Sequence, residues 1–118
     1  MLIYLLDDDS IELSIWSVYC SNQSDIKCIP FDDADLFMEY IAYIQPDAAV
    51  IDFVMPFLPG TEVCKWVLDN CPNIKTFINT GLTGGEFEIL ATSCHATYLS
   101  KMLPISERLE VIRNGCKS

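Results

Sequence analysis

The chain has 118 residues, 51% of them hydrophobic and 20% charged, which suits one globular core and excludes a disordered chain. Seven basic against seventeen acidic residues leave a net charge of −10, which argues against direct nucleic-acid binding and against docking on anionic lipid. No linker, internal repeat or low-complexity stretch divides the sequence, so residues 1–118 read as a single domain.

The first apolar run, Leu2 to Leu6, reads as a strand. It is too short for a signal or a membrane span, has no basic flank and ends in Asp7-Asp8-Asp9. The six cysteines form no CxxC and no Cys/His pair with zinc-finger spacing. Inside apolar patterns they act as small hydrophobes in a reducing cytoplasm.

Asp7-Asp8-Asp9-Ser10 can cap a helix from about Ile11 to Cys20, with Ile11, Ile15, Val18 and Tyr19 as its apolar face. Asp9 reads as a cap or a partner-facing charge, and Trp16 as packing. Ile26 to Phe31 is a second strand. Asp32-Asp33 starts a helix through Ile44 whose apolar face is Leu36, Phe37, Tyr40, Ile41 and Ile44. Gln45-Pro46-Asp47 breaks it.

The stretch Ala48 to Gly60, AAVIDFVMPFLPG, carries the most information. An unbroken apolar run that stops at Asp52 is the pattern of a strand buried on both faces of a parallel sheet. A carboxylate at its carboxyl end sits where open α/β sheets place their ligands. A helix from about Thr61 to Asn70 follows, with Trp66 as packing, and Cys71-Pro72-Asn73 ends it. Ile74 to Asn79 is the fourth strand, closed by Thr80-Gly81. Gly84-Gly85 shortens the next helix to about Glu86–Ser93, expected to be the most mobile. His95 reads as a turn residue. Ala96 to Ser100 is the last strand, Lys101 follows, and a final helix runs from about Ile105 to Asn114.

Strands alternating with helices imply a parallel sheet with right-handed crossovers and helices on both faces. The strand carboxyl ends then share one edge, and four of them end in reactive groups: Asp7 and Asp8, Asp52, Thr80, and Lys101. Each alone has a bland reading as a cap, a turn residue or a solvated charge. Their coincidence on one edge points to a site. Three carboxylates in one cleft ask for a cation, and Mg²⁺ prefers a few carboxylates plus waters and a phosphate oxygen. One nucleophilic carboxylate, one metal and two donors (Thr80, Lys101) are what phosphoryl transfer to aspartate requires.

With LLDDDS, IDFVMPFLPG, NTG and YLSK in this order, the sequence resembles two-component response-regulator receiver domains over essentially its whole length. The resemblance implies a flavodoxin-like (βα)5 fold with strand order 2-1-3-4-5. It implies that Asp52 accepts a phosphoryl group from a histidine kinase or phosphotransfer protein, and that the chain is a phospho-acceptor rather than an enzyme. Asp8, Asp52 and the main-chain carbonyl of Val54 would bind Mg²⁺, with Asp7 acting through water. Thr80 and Lys101 would hold the phosphoryl oxygens, and Tyr98 would follow Thr80 when a partner-binding face switches. That face would address a downstream protein target or an output domain.

One departure stands out. Receivers usually carry proline, often with a cis bond, directly after this lysine, whereas Lys101 is followed by Met102-Leu103 and then Pro104. A trans Lys101–Met102 bond is therefore expected. Two other readings compete. One is a receiver-like interaction module that phosphate does not switch. The other is a haloacid-dehalogenase-like phosphatase with Asp7 as nucleophile and Asp9 as acid.

Overall fold

The computed structural model describes residues 1–117. Strands β1 (Leu2–Leu6), β2 (Lys27–Phe31), β3 (Ala48–Asp52), β4 (Lys75–Thr80) and β5 (Thr97–Ser100) alternate with helices α1 (Ser10–Ser21), α2 (Ala34–Tyr43), α3 (Gly60–Asn70), α4 (Gly85–Ser93) and α5 (Ile105–Gly115). The strands form one parallel sheet in the order β2-β1-β3-β4-β5, as the sequence implied.

Period-two alternation along the strands splits the core between the two faces. Tyr4, Leu6, Ala49, Ile51 and Ile78 face α2, α3 and α4, where they meet Phe37, Ile41, Val63, Val67 and Ala91. Ile3, Leu5, Ala48, Val50, Phe77 and Leu99 face α1 and α5, where they meet Trp16, Cys20, Ile105, Leu109 and Ile112. All five residues of β3 are buried, which is why its sequence has no polar alternation. The cysteines are free thiols, four of them buried. Among the described residues, no helix is long and apolar enough to cross a membrane.

Two helix faces differ from the expected ones. On α1, Ile11, Ile15 and Val18 are exposed and Tyr19 is half-buried, while Trp16 and Cys20 pack on the sheet. Apolar residues occur all round this helix, and the larger Trp16 ring decides which side is buried. On α2, Phe37 and Ile41 are buried, but Leu36, Tyr40 and Ile44 are exposed. Ile44 lies past the helix end in an extended conformation, and its carbonyl accepts the Tyr4 hydroxyl at 2.5 Å.

Candidate functional site

The site is built at the carboxyl edge of the sheet from the ends of β1, β3, β4 and β5. Asp7 leaves β1 with its N–H donating to the Phe31 carbonyl at 3.0 Å. Its Oδ1 accepts the Asp9 N–H at 2.8 Å, which fixes the carboxylate. Asp9 is turned away to cap α1, accepting from the N–H groups of Ile11 and Glu12 at 2.9 and 3.4 Å.

Asp52 ends β3, and the chain after it is held close. The Phe53 N–H donates to the Asn79 carbonyl at 3.3 Å, and the Gly60 N–H donates to the Phe53 carbonyl at 3.1 Å. A Cβ on Gly60 would stand 2.0 Å from the Asp52 carbonyl oxygen, so only glycine lets α3 begin there. Phe57, at the tip of this loop, has a φ of 71° and is fully exposed. The Phe53 ring meets Phe87 of α4 edge-on at 5.4 Å, so the loop after Asp52 touches that helix.

Asp7, Asp8 and Asp52 each offer a carboxylate oxygen, and the three oxygens lie within 4.8 Å of one another. Asp7 and Asp52 are buried, at 3% and 7% exposure, and Asp8 is exposed. The Lys101 ammonium stands 2.9 Å from Asp7 Oδ2 and 3.3 Å from Asp52 Oδ1. The Asp7 contact is an ion pair without hydrogen-bond geometry, so the buried Oδ2 has no hydrogen bond. Burial and the Asp7 charge push the Asp52 carboxyl up to about 6, against the opposing pull of Lys101 and the Val54 N–H. For Lys101, burial works against the ammonium, but Asp7 and Asp52 outweigh it and hold its pKa above the usual value. One lysine does not neutralise three carboxylates. That imbalance fits a hard divalent cation taking oxygen ligands.

Thr80 ends β4 buried, and its Oγ1 accepts the Leu82 N–H at 3.1 Å. The half-buried Tyr98 donates its hydroxyl to the Leu82 carbonyl at 2.8 Å. The expected pair therefore meets at Leu82, one partner on each side of that residue. Among the described residues no peptide bond is cis, so Lys101–Met102 is trans, and Lys101 still reaches both aspartates. The Lys101 N–H is fixed on the Thr80 carbonyl at 2.8 Å. His95 is an exposed turn residue with a φ of 59°.

Sequence reasoning missed Glu12, Asn79 and Arg108. The Arg108 guanidinium pairs with Glu12 at 2.5 Å, and Glu12 Oε1 accepts from Asn79 Nδ2 at 3.4 Å. The signal was present, because Arg108 sits in the stripe Ile105, Leu109 and Ile112, where a charge needs a buried partner.

No family model and no curated protein matches the sequence. Solved structures do match in shape. The receiver domain of the Francisella response regulator 1452 is 22% identical at a TM-score of 0.88, over 98% of this chain and 96% of that one. The BeF3-activated N-terminal receiver domain of Klebsiella pneumoniae RstA is 21% identical at 0.89, over 100% of both chains. A CheY-like receiver domain protein from Methanospirillum hungatei is 21% identical at 0.88, over 98% of this chain and 92% of that one. At such identities the likeness is one of architecture, and it extends over nearly the whole chain: this protein has the CheY-like fold of response-regulator receiver domains.

Proposed function

We propose that the chain is a phospho-accepting receiver in which Asp52 takes a phosphoryl group from a phosphohistidine of a kinase or phosphotransfer protein. The observation that carries this reading is the meeting of Asp7, Asp8, Asp52 and Lys101 at one sheet edge of this fold. An ionised Asp52 oxygen attacks phosphorus, the new P–O bond forms, and the P–N bond to the donor imidazole breaks. Lys101 exchanges its Asp52 contact for a phosphoryl oxygen, and the Thr80 hydroxyl leaves Leu82 to donate to another. Asp8, Asp52 and the Val54 carbonyl would hold Mg²⁺, with Asp7 acting through water. When bound, the ion would supply the positive charge that offsets these carboxylates and the phosphoryl oxygens.

The exposed apolar stripe Ile11, Ile15 and Val18 of α1 begins beside the site and suits contact with a donor helix. Release of Leu82 by Thr80 would free the carbonyl that anchors Tyr98, altering the face formed by α4, β5 and α5 for a downstream target or output domain. The chain acts here as an acceptor and not as a turnover enzyme. A phosphatase reading would need Asp9 as a free acid, whereas its carboxylate is spent on capping α1.

The test is mass spectrometry after incubation with acetyl phosphate and Mg²⁺. One phosphoryl group on the wild type, absent from Asp52→Ala, is expected. Equal labelling of Asp52→Ala, or no labelling of the wild type, would overturn the reading.

A further inference from the structure

Arg108 is a buried cation that the chemistry above does not use, only 5% exposed in the first turn of α5. A guanidinium that did no more than balance Glu12 could be exchanged with its partner for apolar side chains at little cost. Its other arms do something more specific. Nε donates to the Leu103 carbonyl at 2.9 Å, and Nη2 stands 3.4 Å from the Lys101 carbonyl. These carbonyls flank Met102, whose exposed side chain holds nothing in place. The Lys101 N–H is already tied to β4 through the Thr80 carbonyl. The backbone on both sides of the Lys101 Cα is thus fixed, by the sheet on one side and, on the other, by Arg108 together with Ser100, whose Oγ accepts the Met102 N–H at 3.1 Å and whose carbonyl accepts the Leu103 N–H at 3.2 Å.

Arg108 is itself fixed. Its Nη1 pairs with Glu12, and its guanidinium lies 5.5 Å from the centre of the Trp16 ring. Glu12 is in turn joined to Asn79, which is opposite Asp52 in the sheet register.

We infer that Arg108 is a positioning residue for Lys101: held by Glu12, its planar fork ties down the Lys101 and Leu103 carbonyls and sets where the Lys101 ammonium falls between Asp7 and Asp52. The fork matters because lysine presents one rotating ammonium where arginine presents fixed, divergent N–H groups. The consequence, faster phosphoryl uptake by Asp52, rests on the receiver reading. The placement itself needs neither phosphate nor metal.

Competitive acylation of lysines on the intact protein, without metal and read by mass spectrometry, measures that placement. Lys101 should react slowly beside the exposed Lys27. In a Glu12→Leu/Arg108→Leu variant, with thermal melting as the check that the fold survives, Lys101 should react several-fold faster relative to Lys27. Arg108→Lys keeps a cation for Glu12 but loses the fork. It should also speed Lys101, and it carries the test if the double variant unfolds. An unchanged Lys101 rate in the folded variants overturns the proposal.

Acetyl phosphate with Mg²⁺ supplies the second arm. The variants should lower the saturated phosphorylation rate about tenfold, in keeping with the cost of a misplaced catalytic group. They should lower it no further in a Lys101→Ala background. A rate equal to that of the wild type overturns the positioning role. If the wild type takes no phosphoryl group while the Lys101 reactivities shift as expected, the receiver function fails and the positioning stands.

Discussion

The two walls of the site are held in different ways. On the Lys101 side, the loop after β5 is tied to β4 and to a buried network of Arg108, Glu12, Asn79 and the Trp16 ring. On the Thr80 side, residues 81–86 are exposed, and α4 buries only Ala91, with Phe87 half-buried. Gly84, at a φ of 132°, precedes this helix, and no side chain caps it. The first wall keeps a cation on two carboxylates. The second is joined to the site chiefly through Leu82 and the Phe53–Phe87 contact. A segment with few buried apolar groups opens at low cost. A site that must hold charge still while changing a surface needs both kinds of wall.

The largest effect should come from attacking the fixed wall. Arg108→Ala takes the cation from the largely buried Glu12 carboxylate and leaves it only the Asn79 amide, at a cost of about 3 kcal/mol in urea unfolding. Ile89→Ala, on the exposed face of α4, should change stability by no more than about 0.5 kcal/mol. Similar losses for the two would mean that the walls are not held differently after all.

Next in size is the charge that the fixed wall serves. The folded pKa of Asp52, about 6, lies above its ordinary value of 3.8. The fold therefore favours the protonated form. The stability this contributes is complete below about pH 4 and is lost as pH rises through about 6. Asp52→Asn should thus be more stable than the wild type at pH 7 without metal. Discounted for solvent screening, the gain is on the order of 1 kcal/mol, or about 4 °C in melting temperature. It should vanish near pH 4, and Mg²⁺ at pH 7 should stabilise the wild type more than the variant. A variant no more stable than the wild type at pH 7 would mean that Lys101 already compensates the Asp52 charge in full.

What the sequence revealed follows from what is local in it. β3 is legible because four buried apolar residues in a row leave one pattern, and Asp52 because a charge abruptly ends that pattern. Asp7 is legible for the same reason, as the first polar group past an apolar run, and Thr80 and Lys101 each stand one residue farther on, after Asn79 and Ser100. The buried side of α1 was not, because Ile11, Leu13, Ile15, Trp16, Val18 and Tyr19 offer an apolar residue in nearly every direction. Only contact with α5 and the sheet selects Trp16. Arg108 in its apolar stripe called for a buried partner, but that Glu12 supplies it was hidden, because the two are far apart in sequence. Met102 showed the opposite limit. The absence of proline after Lys101 was visible, but the side chain that ties down the carbonyls on either side of Met102 lies farther along, in α5.

The smallest effect tests the loose wall most directly. The Tyr98 hydroxyl donates to the Leu82 carbonyl, while the Leu82 N–H donates to Thr80 Oγ1, so the loop is pinned at one residue from two sides. Tyr98→Phe keeps the ring and removes one pin. A hydrogen bond of this exposed kind contributes about 0.5–1 kcal/mol. Its loss should raise the opening equilibrium of residues 81–85 by a factor of about 2–5, read as faster amide exchange there. The amides of Leu109 and Ile112, on the buried side of α5, should exchange as in the wild type, because the Tyr98 hydroxyl bonds to Leu82 and not to the Arg108 network. Equal acceleration in both regions would mean that the walls open together as one unit. No acceleration at residues 81–85 would mean that Thr80 alone holds Leu82, and that Tyr98 follows the loop without restraining it.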